Sequence, residues 1–155
     1  MLVRCLMMVL LLMLTCSPTL QAAPQPNTSE ALAGLKTAKV IFDVRVADLD
    51  KLVFNLQLFS ETLEGIAAQG VKPEMIVAFR GSTVKLLTAA VLDGEALDLL
   101  RALKKKGVQF EACAVAMRVT KADSVGLVPE VKLVANVYYS LIGYQNKGYA
   151  MIVIN

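Results

Sequence analysis

The chain has no histidine and no tryptophan, and only 3 of its 155 residues are cysteine. Without imidazole, a Ser-His-Asp triad is excluded, and a zinc site built from one chain would have to rest on very few ligands. Neither GxGxxG nor GxxxxGK[ST] occurs in the sequence. A nucleotide site would therefore lack the glycine-rich loop that usually cradles phosphate. Charge of one sign is not in excess either. With Arg4 set aside, 15 Lys+Arg face 13 Asp+Glu, a net of +2. That balance gives no reason to expect nucleic acid as a partner.

Two of the cysteines, Cys5 and Cys16, fall in an N-terminal stretch with the anatomy of a secretory leader. Arg4 supplies the positive end, Leu6 to Leu14 is an unbroken apolar run, Ser17-Pro18 breaks it, and Ala22-Ala23 offers small residues for cleavage. The run is short of the roughly 20 apolar residues that a membrane span needs. Residues 1–23 are thus expected to be a signal peptide and the product periplasmic or secreted. Contact with the membrane would come only through an uncleaved signal. A retained anchor and lipidation of Cys16 are the alternatives. Removing 23 residues from 155 leaves 132, enough for one domain with an ordinary core. Residues 24–38, polar and proline-bearing at first, read as a flexible mature N-terminus, with a loose helix an option over Ala31 to Ala38. Residues 39–155 read as the folded domain.

Hydrophobic periodicity within that domain alternates strand and helix. Lys39 to Val46 reads as a strand. Asp48 then caps a helix to about Gln69 with Leu52, Leu56, Phe59, Leu63 and Ile66 on one face. Met75 to Phe79 is wholly apolar, as expected of a central parallel strand covered on both sides. A short helix over Val84 to Ala90, an Asp93-Gly94 turn, a helix over Glu95 to Lys106 and a strand over Val108 to Cys113 follow. Then comes a long helix over about Glu130 to Asn146, with Val131, Val134, Tyr138, Leu141 and Ile142 as its stripe, and a last strand over Tyr149 to Ile154. Val125 to Val128 is an optional extra strand. The order predicts an α/β fold: a doubly wound, mostly parallel sheet of 4–5 strands with helices on both faces. Right-handed crossovers bring the strand C-termini to one rim, where ligands gather in open α/β sheets.

Three stretches end at that rim: Asp43 to Arg45, Arg80 to Thr83, and Cys113 onward. Cys113 would be the one thiol left after processing. It is buried, reactive or paired between chains. At a strand-to-helix switch, free amide N–H groups favour a thiolate, and Arg118 five residues on would add positive charge. A small buried hydrophobe is the competing reading. In Arg80-Gly81-Ser82-Thr83, Gly81 permits an unusual backbone angle, and Ser82 or Thr83 can cap the next helix or help hold an anion. Lys104 to Lys106 complement the end of their helix and are expected to stay solvated. Tyr138 and Tyr139 lie about 100° apart on a helix. One core cannot take both, which leaves a face for a partner subunit.

The segments KVIFDV, IVAFRGSTVKLL, LKKKGVQFEACAVAM and VPEVKLV…GYQNKGYAMIVI, in that order, resemble the DsrE/DsrF-like family of sulfur-trafficking proteins over about Lys39 to Ile154. The resemblance implies a doubly wound fold that assembles into trimers or hexamers. It also implies sulfur donor or acceptor proteins as partners, and a cysteine at the position of Cys113 that accepts sulfur as a persulfide. Many relatives have histidine where this chain has Arg80. The expected function is that of an exported thiol-based sulfur carrier or sulfurtransferase using Cys113, with no cofactor and no metal. Arg80, Gly81, Ser82, Thr83 and Arg118 would lie around the bound species. The alternatives are a non-catalytic oligomeric module that binds a small anion or an envelope partner, and a purely structural subunit.

Overall fold

The computed structural model describes residues 29–92 and 94–155. The expected leader lies outside the described residues, as does Asp93 of the expected Asp93-Gly94 turn.

The first described element is a one-turn helix, α1 (Ser29–Leu32), which overlaps the start of the stretch where a loose helix was an option. The first strand, β1 (Thr37–Val44), begins two residues before the expected domain boundary. Then follow α2 (Leu49–Ala68), β2 (Lys72–Phe79), a 3-10 helix (Gly81–Leu86), α3 (Gly94–Lys105), β3 (Gln109–Cys113), α4 (Ala114–Thr120), β4 (Lys132–Val134), α5 (Val137–Asn146) and β5 (Ala150–Ile154). Asp48 caps α2 as the sequence predicts, its carboxylate accepting the Lys51 N–H at 2.9 Å. Gly70 takes the left-handed turn just beyond that helix at φ +74°.

All five strands are parallel, in the order β4-β3-β2-β1-β5. From β1 to β4 the chain steps steadily one way, so right-handed crossovers keep α2 and α3 on one face. The return from β4 to β5 crosses back over the sheet and lays α5 on the other face, against β1, β2, β3 and β5. The α2/α3 face holds the larger core, including Phe42, Leu52, Leu56, Phe59, Val77, Phe79, Leu100 and Phe110. Phe42 and Phe59 meet at 4.4 Å between ring centroids. The α5 face is smaller: Ile41, Ile76, Ala78, Cys113, Val137 and Leu141. Side chains alternate between faces along a strand. One residue type at each position therefore decides which core it serves, and Cys113 serves the second.

The long helix expected over Glu130 to Asn146 is two elements. Lys132–Val134 pairs with β3 as the fourth strand, and the helix starts only at Val137. Val131 and Val134 fit a helical stripe and a β-branched strand equally well, so periodicity alone could not separate them. Asn136 settles the boundary. Its side chain accepts the Tyr138 N–H at 3.0 Å and starts the helix there. The optional strand over Val125 to Val128 is not formed; Leu127 makes a single antiparallel bridge with Thr88. The lysines at the end of α3 are exposed as expected, and two of them also find partners. Lys104 donates to the Pro129 and Glu130 carbonyls at 3.1 and 3.0 Å, and Lys106 pairs with Glu64 on α2.

Candidate functional site

The rim at the C-terminal ends of the strands collects the candidate residues, as parallel pairing requires. Asp43 faces the α5 side near the end of β1 and is 2% exposed. A carboxylate that deep needs a charged partner, and Arg80, just past β2, provides one in bidentate form. Its Nε lies 2.7 Å from Asp43 Oδ1 and its Nη2 2.8 Å from Oδ2. Arg45 approaches the same carboxylate, its Nε 3.8 Å from Oδ2. That Arg45 Nε is itself buried without an acceptor. Tyr138 of α5 lies against Arg80 from another side, with the guanidinium carbon 5.2 Å from the ring centroid. Hydrogen bonding to Asp43 raises the Arg80 pKa. Burial works against that rise, while the charge of Asp43, then Tyr138 and Cys113, adds to it.

Cys113 ends β3 and is 5% exposed. Its thiol does not cap the helix that follows it in sequence. Instead Sγ accepts the backbone N–H of Val137 at 3.5 Å. Val137 is the first residue of α5, so the dipole aimed at the sulfur belongs to a helix 24 residues further on. Strand pairing sets this up: β4 lies beside β3 with Val134 opposite Cys113, and the chain turns into α5 directly above. The pairing of Asp43 with Arg80 and the approach of the α5 start to the thiol are the two features that sequence reasoning missed. A lone Asp among β-branched neighbours, with an Arg at the end of the next strand, was the available signal for the first.

Arg80 lies just past β2, the strand beside β3, and the charge of Cys113 adds to the rise of its pKa. The other expected residues are placed differently. Thr83 neither caps the 3-10 helix nor faces the rim solvent. It is fully buried and donates its hydroxyl to the Val46 carbonyl at 2.6 Å, tying this turn to the end of β1. Arg80 occupies the N-cap position of the 3-10 helix, with no side-chain cap bond there, and Ser82 is exposed. Gly81 adopts φ +60°, the left-handed conformation its place in the turn demands. Arg118 is exposed in the last turn of α4 and forms no ion pair among the described residues. The cation beside the sulfur is Arg80.

Two further features border this arrangement. Glu111, two residues before Cys113 on the same face, is 5% exposed, and its Oε2 has no partner. Burial, and after it the charge and hydrogen bonding of Glu111, pushes the Tyr144 phenol up. An apolar groove of about 420 Å³, lined by Leu35, Ile66, Val40 and Ile152 among others, opens toward the opposite end of β1 and has no part in the rim. No group of three or more His, Cys, Asp or Glu side chains suited to a metal ion occurs among the described residues.

Comparison with known proteins places this geometry in context. The model of the DsrE/DsrF-like family matches residues 20–154. An uncharacterized protein of Aquifex aeolicus (strain VF5) is 29% identical over 124 residues, which span 74% of this chain but only 55% of that relative. Among solved structures, MTH1491 of Methanobacterium thermoautotrophicum, a protein of unknown function, is similar with a TM-score of 0.63 and 20% identity. The match covers 75% of this chain and 98% of that one. The ychN protein of E. coli is similar with a TM-score of 0.57 and 13% identity, over 76% and 98%. At these identities the two structures speak for the fold alone.

Proposed function

Because the chain belongs to the DsrE/DsrF-like family, we propose that it is a thiol-based sulfur carrier in which Cys113 takes up sulfane sulfur and holds it as a persulfide. The observation that carries the reading is the Val137 N–H directed at Cys113 Sγ from the start of α5. A helix N-terminus stabilises negative charge placed against it. A persulfide bears its charge on the outer sulfur at neutral pH, so the same environment serves the free and the loaded forms. Arg80 supports the reading from the β2 side. It is fixed by Asp43 and Tyr138, so its charge does not have to be ordered when sulfur arrives.

Export and self-association complete the proposal. The leader-like residues 1–23 motivate the first. The second is supported by apolar surface on α5 and on the edge strand β5: Tyr138, Tyr139 and Ile142 are 53%, 70% and 59% exposed, and Met151, Ile152 and Val153 are each more than 40% exposed. An open apolar strand edge of this kind is a surface that proteins ordinarily cover.

The test is to expose the reduced protein to polysulfide, remove excess reagent and measure the intact mass. Wild type should gain whole sulfur atoms that dithiothreitol removes, and Cys113→Ser should gain none. No gain on folded wild type would defeat the carrier reading. The near-complete burial of Cys113 would then favour the second reading, a non-catalytic module that binds a small anion at the Arg45/Arg80 rim.

A further inference from the structure

We infer that the rim beside Cys113 contains a subsite for the oxyanion end of a small sulfane-sulfur donor, with Arg45 and the unengaged edge of Arg80 as its cations and thiosulfate as the representative donor. This rests on Cys113 being the sulfur acceptor and adds the class of molecule that loads it.

The first argument is charge. Arg80 and Arg45 share one carboxylate, that of Asp43. Two guanidinium groups against one carboxylate leave a positive charge uncompensated at a partly buried rim. The second is hydrogen-bond accounting. Arg80 spends Nε and Nη2 on Asp43, which leaves Nη1. Arg45 Nε is buried and has no acceptor, an arrangement costly to the protein alone and relieved by an acceptor oxygen from outside. The third is position. The parallel register sets Val44 opposite Phe79 and Phe79 opposite Ala112. The next residues, Arg45, Arg80 and Cys113, therefore follow one another across three adjacent strands, at spacings of about 4.8 Å. Arg45 directly follows β1, beside which the strand order reverses to β5. Ligands of open α/β sheets bind outside the strand ends at such a reversal. The fourth is access. A thiol 5% exposed does not meet a cysteine held on another protein's folded surface, whereas a small anion can approach along the two arginines.

The chemistry balances without an added oxidant or reductant. The Cys113 thiolate attacks the outer, sulfane sulfur of thiosulfate. The new S–S bond forms as the S–S bond of thiosulfate breaks, and the bonding pair leaves with sulfite. Thiolate and thiosulfate dianion become persulfide anion and sulfite dianion, so total charge is conserved. The oxygens, anionic in thiosulfate and in sulfite alike, stay at the Arg45 end of the row throughout, so Arg45 acts on binding.

The experiment uses the purified protein and two donors, thiosulfate and oxygen-free polysulfide, reading sulfite release and the sulfur gained at Cys113. Wild type should be loaded by both, with one sulfite released per sulfur gained from thiosulfate. Arg45→Gln should raise the KM for thiosulfate about tenfold, the worth of one charge-assisted hydrogen bond, with a much smaller change in kcat. Arg45→Lys should recover most of that loss. Loading by polysulfide but not by thiosulfate overturns the subsite and leaves the carrier standing. A thiosulfate KM indifferent to both Arg45 variants also overturns it. No loading by either donor overturns both readings.

Discussion

Replacing Arg80 with Gln tests the electrostatics of the rim most directly. The substitution keeps a shorter polar side chain and deletes one charge. Arg80 follows β2 and Cys113 ends the adjacent β3, and charges that influence one another's protonation ordinarily lie within about 4–6 Å. At an effective dielectric between about 20 and 80, a unit charge at that distance is worth roughly 0.7–3 kcal/mol to an anion on sulfur. The middle of that range corresponds to about a tenfold change. Alkylation of native protein by iodoacetamide, an uncharged reagent, should therefore be about tenfold slower in Arg80→Gln at neutral pH. The chain has no histidine, so no imidazole titration confuses the profile between pH 6 and 9. The variant also leaves the buried Asp43 carboxylate with only Arg45, at 3.8 Å. Breaking a fully buried pair costs about 3–5 kcal/mol. Because the Arg80 side chain is 21% exposed, a loss of roughly 2–3 kcal/mol in urea unfolding is expected. Equal alkylation rates in the two proteins at every pH, with both folded, would refute the claim that Arg80 acts on the sulfur.

Three other outcomes follow from the packing and the caps. Phe59→Ala removes a 2% exposed ring that meets Phe42 at a tilt and should cost about 3–5 kcal/mol in chemical denaturation, with the second core untouched. Asn136→Ala deletes the cap of α5 and should cost about 1 kcal/mol; because that cap fixes the Val137 N–H, the variant should also slow alkylation of Cys113, whereas Asn136→Asp should retain most of both. Burial, followed by the neighbouring carboxylates Glu111 and Glu74 respectively, raises the pKa of Tyr144 and of Tyr149 in the folded state. Above pH 10 the unfolded chain then binds fewer protons than the folded one, so the stability due to these phenols is complete below pH 10 and is lost as pH rises through the folded values. The Tyr144→Phe/Tyr149→Phe double variant should show a shallower fall in unfolding free energy between pH 9 and 11 than wild type.

Much of the architecture was legible because one signal governed each element. The apolar run Met75 to Phe79 could only be a covered strand, and Asp48, Gly70 and Gly107 punctuated the helices and turns around it. Cys113 was legible as a rim residue for the same reason, since it ends a strand that reads cleanly. What failed was local ambiguity resolved by distant partners. Val131 and Val134 suit either secondary structure, and only pairing with β3 decides between them. Thr83 has the chemistry of a cap, but the Val46 carbonyl, two residues past β1, claims its hydroxyl. Arg118 is five residues from the thiol in sequence and does not reach it, whereas Arg80 is 33 positions away and does. Charge arrives across the sheet, and sequence distance says little about neighbours in a parallel one.

The shortness of β4 has a mechanical consequence. Only three residues, Lys132–Val134, attach this segment to the sheet. Two of them are exposed, and Val134 is the one paired with Cys113. An edge of that length is held by few backbone bonds and is the first part of such a sheet to open. The amide that faces the sulfur travels on the same segment, three residues past Val134. Release of the β4 ladder therefore withdraws the amide and uncovers the thiol in a single movement. The exchange of the backbone amides of residues 132–137 with deuterated solvent measures how often that segment opens.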